Sequence, residues 1–301
     1  MKHWLALICA GLAMNGNVSA AEWTDLLDER LTRWEVFTGV PHPSVEIAGH
    51  PAPLSAKPGD GKPFGPGDPL KVFTVRMEEG EPVLHVTGQI FAGLSTLEEF
   101  GNYHLTMDFR WGERKWPPRE EAKRDSGLLY HCTGPHGAFW NVWMRSLEFQ
   151  IQEGDCGDFI PLAGTAANIR VKTFDNGERP VFSPDAPLHA FTGYTRHSPS
   201  KESPHGEWNK LELYTLGTTS VFVVNGTPNM VLFDARVRRD DGNGHDPLVK
   251  GKIQLQSEAA EAYYRRIKIR KIDKFPVELT DLTTRPTAEP IRFVPVEKKE
   301  P

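Results

Sequence analysis

Residues 148–153 read Glu-Phe-Gln-Ile-Gln-Glu. That alternation fits a strand with one face on a core and the other toward water. Leu147, Phe149 and Ile151 make the apolar side, and Glu148, Gln150 and Gln152 the polar one. Trp140, Trp143 and Arg145 stand just before it. A carboxylate can move a proton, amides and a guanidinium can hold oxygen atoms, and an indole can stack on the apolar face of a ring. This set of groups suits a groove that handles sugars, whereas an inert surface usually carries Lys, Glu and Thr.

Other segments repeat the pattern. Over 103–111, Tyr103, Leu105, Met107, Phe109 and Trp111 oppose His104, Thr106, Asp108 and Arg110. In 251–257, Ile253 and Leu255 oppose Gln254 and Gln256. Read together, these strands share one polar face carrying Asp, Arg, Glu and Gln. Strands are expected near 71–76, 82–87, 103–111, 126–132, 146–153, 166–173, 210–216, 219–225, 229–234, 251–257 and 263–271. Asn225-Gly226 between two apolar runs predicts a tight hairpin. One short helix is expected at 96–100, with Ser95 as its cap and Glu98 completing a capping box. The Pro- and Gly-rich stretch over 38–70 predicts a long surface loop. With 27 Gly, 25 Pro and no sustained helical period, the expected fold is all-β: a jelly-roll sandwich of two antiparallel sheets with a concave polar face.

The chain of 301 residues opens with Lys2, an apolar run from Leu5 to Met14 and Val18-Ser19-Ala20. This has the form of a secretory signal peptide over 1–20. The domain is expected over 21–275, followed by a Pro-rich, frayed tail over 276–301. Cleavage would remove Lys2 and take the formal net charge from −5 to −6. A mildly acidic chain without a basic cluster argues against nucleic acid as a partner. No apolar run is long enough for membrane insertion, so a periplasmic or extracellular location is expected. Cys132 and Cys156 would remain, and export permits a disulfide between them.

The segments Gly101–Gly112, Asp125-Ser-Gly127, Glu148–Glu153, Glu207-Trp-Asn209, Leu255–Glu258 and Tyr264–Ile267 occur in an order that resembles the 3-keto-disaccharide hydrolase family over nearly all of 22–272. The resemblance implies a concanavalin-like jelly roll. It also implies cleavage of glycosides already oxidised to a ketone at C3, by elimination of the aglycone and then hydration. Arg110 matches the family's strand arginine, Ser126-Gly127 its Asn-Ser-Gly turn, and Glu148 and Gln150 its Glu-x-Gln. Asp125 departs from the usual Asn, Glu153 stands where Asp is common, and Glu258 where many members have His.

Such chemistry needs a base for the C2 proton, an electrophile for the enolate oxygen and an acid for the leaving oxygen. Glu148, His131, Glu153 and Asp108 are the candidate catalytic groups. Arg110, Gln150, Trp140, Trp143, Arg145 and Gln256 are the candidate substrate-binding groups, Arg110 and Gln150 being the oxyanion partners. A divalent cation could serve as the electrophile, but no residues are assigned to it. No organic cofactor is expected, and the expected partner is an oxidised disaccharide or glycoside. Glu148 and Arg110 could instead form a structural ion pair, the tryptophans could pack in the core, and His131 could be a satisfied structural histidine. The charge run 116–124 reads as a solvated loop or groove rim. From another class, a non-catalytic glycan-binding sandwich would show the same aromatic and polar residues.

Overall fold

The computed structural model describes residues 22–45, 47–174, 177–191, 193–285 and 290–293. The leader expected at 1–20 lies outside them. Two sheets form a β-sandwich, one of thirteen strands and one of seven. The larger sheet runs, in spatial order, Arg292–Phe293, Leu188–Phe191, Thr165–Lys172, Thr227–Arg238, Thr219–Val224, Asn209–Leu216, Tyr103–Lys115, Ala260–Lys271, Glu81–Val86 and Phe73–Glu78, with three short strands at its margins. The smaller runs Phe159–Leu162, Arg145–Gln152, Asp125–Thr133, Lys252–Ser257, Ala92–Thr96, Trp34–Thr38 and Gly65–Pro66. Pairing is antiparallel except where Arg292–Phe293 runs parallel to Leu188–Phe191.

Alternation decides which side of each strand is buried. Leu105, Met107 and Phe109 of the larger sheet and Leu128, Phe149, Ile151 and Leu255 of the smaller meet in one core. Phe149 stacks on Phe222 across the sheets, with ring centroids 4.4 Å apart. Removing each such side chain from water stabilises the fold by roughly 1.5–3 kcal/mol, so register is strongly held wherever these faces meet. Asn225 and Gly226 have φ of 48° and 76° and close the expected hairpin, since both central residues of such a turn need positive φ.

Two expectations change at the element level. No helix forms at 96–100: Ser95 and Thr96 end a strand, and the Thr96 hydroxyl donates to the Glu98 carbonyl at 2.8 Å. The capping-box spacing is met, but Leu94 and Thr96 pair with Val36 and Trp34, and sheet pairing overrides the local preference. Beyond residue 275, Val277–Leu279 and Thr280–Thr283 form short helical turns, with Leu279 buried. With Arg292–Phe293 paired into the larger sheet, these parts of the tail are packed rather than frayed. Cys132 and Cys156 are both free and buried. Among the described residues no helix is long and apolar enough to cross a membrane.

Candidate functional site

The outer side of the smaller sheet gathers much of the polar chemistry. Asp125, Gly127 and Leu129 pair with Gln152, Gln150 and Glu148 on one side. On the other, Leu128 pairs with Leu255 and Asp125 bridges to Glu258. Alternation therefore puts Asp125, Glu148, Gln150, Gln256 and Glu258 on one face. Gly127 makes the arrangement possible. A Cβ there would lie 2.3 Å from Glu148 Oε1 and 2.4 Å from Gln256 Oε1, so two side chains from flanking strands lean over a residue that has none.

This face is not wet, contrary to the sequence reading. Glu148 is 3 % exposed, Asp125 2 % and Gln256 1 %. A second apolar cluster of Leu129, Val142, Trp143, Met144 and Leu162 lies on the smaller sheet, with Phe91, Phe139 and Ile160 against it. Trp143 donates its indole N–H to the Ala92 carbonyl at 3.3 Å. Gln254 is fixed among these groups: its amide oxygen accepts from the Met144 backbone N–H at 3.2 Å, and its nitrogen donates to Ser95 Oγ at 2.7 Å. Phe91, Trp143, Phe139 and Trp140 form a run of near-parallel rings, of which Trp143 is buried, Phe91 and Phe139 are partly buried, and Trp140, 40 % exposed, reaches furthest into solvent. A depression beside this cover is lined by Phe91, Pro118, His42, Ser55 and Lys57.

Burial sets the electrostatics. The Glu148 carboxyl is held well above the usual carboxylate range, first by desolvation and then by the Glu258 and Asp125 charges, with Arg119 opposing. It takes no hydrogen bond from the described residues. Asp125 is also raised well above its usual range, by burial and then by Glu258. Glu258 is raised by burial. Arg119 reaches in from the loop before the Asp125–Thr133 strand and pairs with both Asp125 and Glu258. Gln152 donates to Asp125 Oδ2 at 2.7 Å. Asp125 and Glu258 both meet the same terminal nitrogen of Arg119, so the two carboxyl groups lie close together. Four polar atoms are buried without a partner here: Gln150 Oε1, Gln256 Oε1, Asp125 Oδ1 and Arg119 Nε.

Of the residues singled out in the sequence, Glu148, Gln150 and Gln256 come together. Asp108 and Arg110 do not join them. They lie on the outer side of the larger sheet, where Asp108 accepts from Arg265 Nε at 3.0 Å. Arg110 stacks on Trp208 and Tyr263 at 4.7 and 4.8 Å and meets Glu78 at 3.5 Å. Both sheets bury their apolar sides against each other, so their polar sides must face apart. A Glu148–Arg110 ion pair is thereby ruled out. His131 sits in a bulge between Tyr130 and Thr133, at φ 50°. Its ring edges Tyr103 of the larger sheet at 6.0 Å, so it lies between the sheets. Burial lowers its pKa to about 4, which leaves it neutral at ordinary pH. Glu153 pairs with Arg124 at 3.0 Å and His205 at 3.5 Å. Arg145 pairs with Asp240 at 2.9 Å. Trp143, 1 % exposed, is a packing residue.

Arg119 lies in the charge run 116–124, which the sequence presents as a solvated loop or groove rim; its side chain is instead largely buried against Asp125 and Glu258. Glu258 had a signal: it continues the parity of Gln254 and Gln256. Among the described residues no group of three or more His, Cys, Asp or Glu side chains is placed to hold a metal ion.

Solved structures with similar layering include two proposed glycosyl hydrolases from Parabacteroides distasonis. One is 17 % identical, covering 83 % of this chain and 100 % of that one, with a TM-score of 0.44. The other is 16 % identical, covering 83 % and 94 %, with a TM-score of 0.46. A Bacillus subtilis protein of unknown function with a galectin-like fold is 12 % identical over 84 % and 96 %, at 0.43. No curated protein is significantly similar to the chain. Residues 22–270 match the model of the 3-keto-alpha-glucoside-1,2-lyase-like domain, and the chain belongs to that family.

Proposed function

We propose that this chain cleaves 3-keto-glycosides, with Glu148 as the group that moves the proton. Family membership supports a carbohydrate-active role, and the observation that carries the finer reading is the state of Glu148. Its carboxyl is buried, unpaired and held far above its ordinary value, the tuning that lets a carboxyl exchange protons near neutral pH.

The chemistry follows from the ketone. A carbonyl at C3 makes the C2 proton acidic. When a base takes that proton, the C2–H electron pair moves into an enolate at C3. The enolate then collapses to a C1–C2 double bond and a restored ketone, the C1–O bond breaks, and the departing oxygen takes a proton. Water next adds across C1 and C2, hydroxyl to C1 and proton to C2, giving net hydrolysis. In this reading Glu148 carries the proton, and the unpartnered oxygens of Gln150 and Gln256 accept from sugar hydroxyls. Residues 1–20 would direct export to the periplasm or medium.

The test is product formation. Purified protein should release 3-keto-glucose from a 3-keto-disaccharide and leave the unoxidised disaccharide intact. No turnover over a panel of α- and β-linked keto-glycosides would defeat the proposal. Trp140, the exposed end of the aromatic run, supports a second reading as a glycan-binding module. Calorimetric binding of intact polysaccharide without product would favour that reading.

A further inference from the structure

The mechanism above leaves the enolate oxygen without a partner, and the arginine expected to hold it, Arg110, lies on the far side of the sandwich. We propose that Arg119 holds the ketone oxygen and the enolate it becomes, while the amide oxygens of Gln150 and Gln256 accept the hydroxyl groups on either side. The inference rests on the 3-keto-glycoside reading of this same site.

The polar atoms without partners carry the argument. Two are amide acceptors, Gln150 Oε1 and Gln256 Oε1, one is a carboxyl oxygen, Asp125 Oδ1, and one is a donor, Arg119 Nε. Gln150 is 3 % exposed and Gln256 1 %. Buried polar groups normally have hydrogen-bond partners, and a polar ligand would supply them here. The two amides flank Gly127, and the Glu148 and Gln256 side chains lean into the space that its missing side chain leaves. Arg119 is bonded to Asp125, the next residue on the same side of that strand, about 7 Å along it. A 3-keto pyranose carries a pure acceptor, the C3 oxygen, between hydroxyl groups at C2 and C4, and hydroxyls can donate. The Arg119 N–H beside the amide oxygens of Gln150 and Gln256 complements that array.

The charge state is suited as well. Asp125 and Glu258 flank the Arg119 guanidinium. Burial raises both carboxyls, Asp125 well above its usual range, which favours a proton on the pair beside the guanidinium. Negative charge arriving on the enolate oxygen then meets a fixed cation in a water-poor site, where such stabilisation is strongest.

Binding of 3-keto-glucose and of glucose should be measured by calorimetry on the wild-type protein, Arg119→Gln and Arg119→Lys, beside kcat and KM on a 3-keto-disaccharide. The wild type should prefer 3-keto-glucose. Arg119→Gln should erase that preference and lower kcat by about 100-fold, the scale for loss of one oxyanion donor. Arg119→Lys, which keeps the charge, should retain part of both. A merely structural Arg119 would lower the melting temperature and leave the preference intact. If Arg119→Gln does not fold, Arg119→Lys decides alone: undiminished preference and kcat overturn the inference. Wild-type turnover with an unchanged ratio in the variants sinks the role of Arg119 only. A wild type without turnover or preference sinks the 3-keto-glycoside reading with it.

Discussion

Among the described buried carboxylates, Glu148 stands apart in having no ion-pair or hydrogen-bond partner, unlike Asp125, Asp158, Glu212 and Glu258. Burial is the largest influence on Glu35 and Glu261 and pushes both upward, but their partners together, Lys252 and His136 for Glu35 and His85, the Arg114 N–H and Tyr263 for Glu261, hold both below their usual range. Glu148, Asp125 and Glu258 go the other way. The sign matters for stability. A carboxyl raised on folding binds its proton more tightly in the native state, so its contribution is fully present below the unfolded value, near 4.5 for Glu148. It is lost as pH rises through the folded value. Glu35 and Glu261 act in the opposite sense, and their contribution is lost as pH falls below that point. Thermal unfolding across pH should therefore show Glu148→Gln gaining on the wild type as pH rises from about 5 to 8. A constant difference between the two curves would contradict an unpaired, buried Glu148.

Residue types and strand parity were legible in the sequence, since Leu147, Phe149 and Ile151 all point inward. Whether the opposite side is wet was not legible. Its cover comes from Phe91, Phe139, Val142 and Trp143, which follow no period-two pattern.

At the scale of elements, the site depends on three adjacent strands, Arg145–Gln152, Asp125–Thr133 and Lys252–Ser257. The middle strand contributes most by carrying Gly127 with no side chain. Gly127→Ala should drive a methyl group into Glu148 and Gln256. The expected loss is about 1–3 kcal/mol of stability, the usual cost of overpacking, with a clear drop in turnover, measured by denaturant unfolding and initial rates. A variant with wild-type stability and rate would mean that the two side chains do not lean over this strand. The expected helix at 96–100 failed for a related reason. Its capping signal is local, while the pairing of Ala92–Thr96 with both Trp34–Thr38 and Lys252–Ser257 is not.

At the scale of the whole molecule, the sandwich has two polar outer sides, and period-two alternation cannot say which strands share one. The Tyr103–Lys115 strand and the Arg145–Gln152 strand have the same pattern but belong to different sheets. Asp108 and Arg110 are consequently separated from Glu148 by the core. Arg110→Ala should change kcat on a 3-keto-glycoside less than about 3-fold, far below the loss of an acid–base group. The half-exposed pair with Glu78 should make it worth about 1 kcal/mol or less. A large fall in kcat would place the chemistry on the larger sheet instead.

The account turns on Glu148 as the proton-transfer group in cleavage of an oxidised glycoside. The direct test compares single-turnover release of 3-keto-glucose by the wild-type protein and by Glu148→Gln, which keeps the side chain's shape. The account predicts measurable wild-type turnover and a fall of roughly two or more orders of magnitude in the folded variant. A folded Glu148→Gln protein that retains most of the wild-type rate would contradict it.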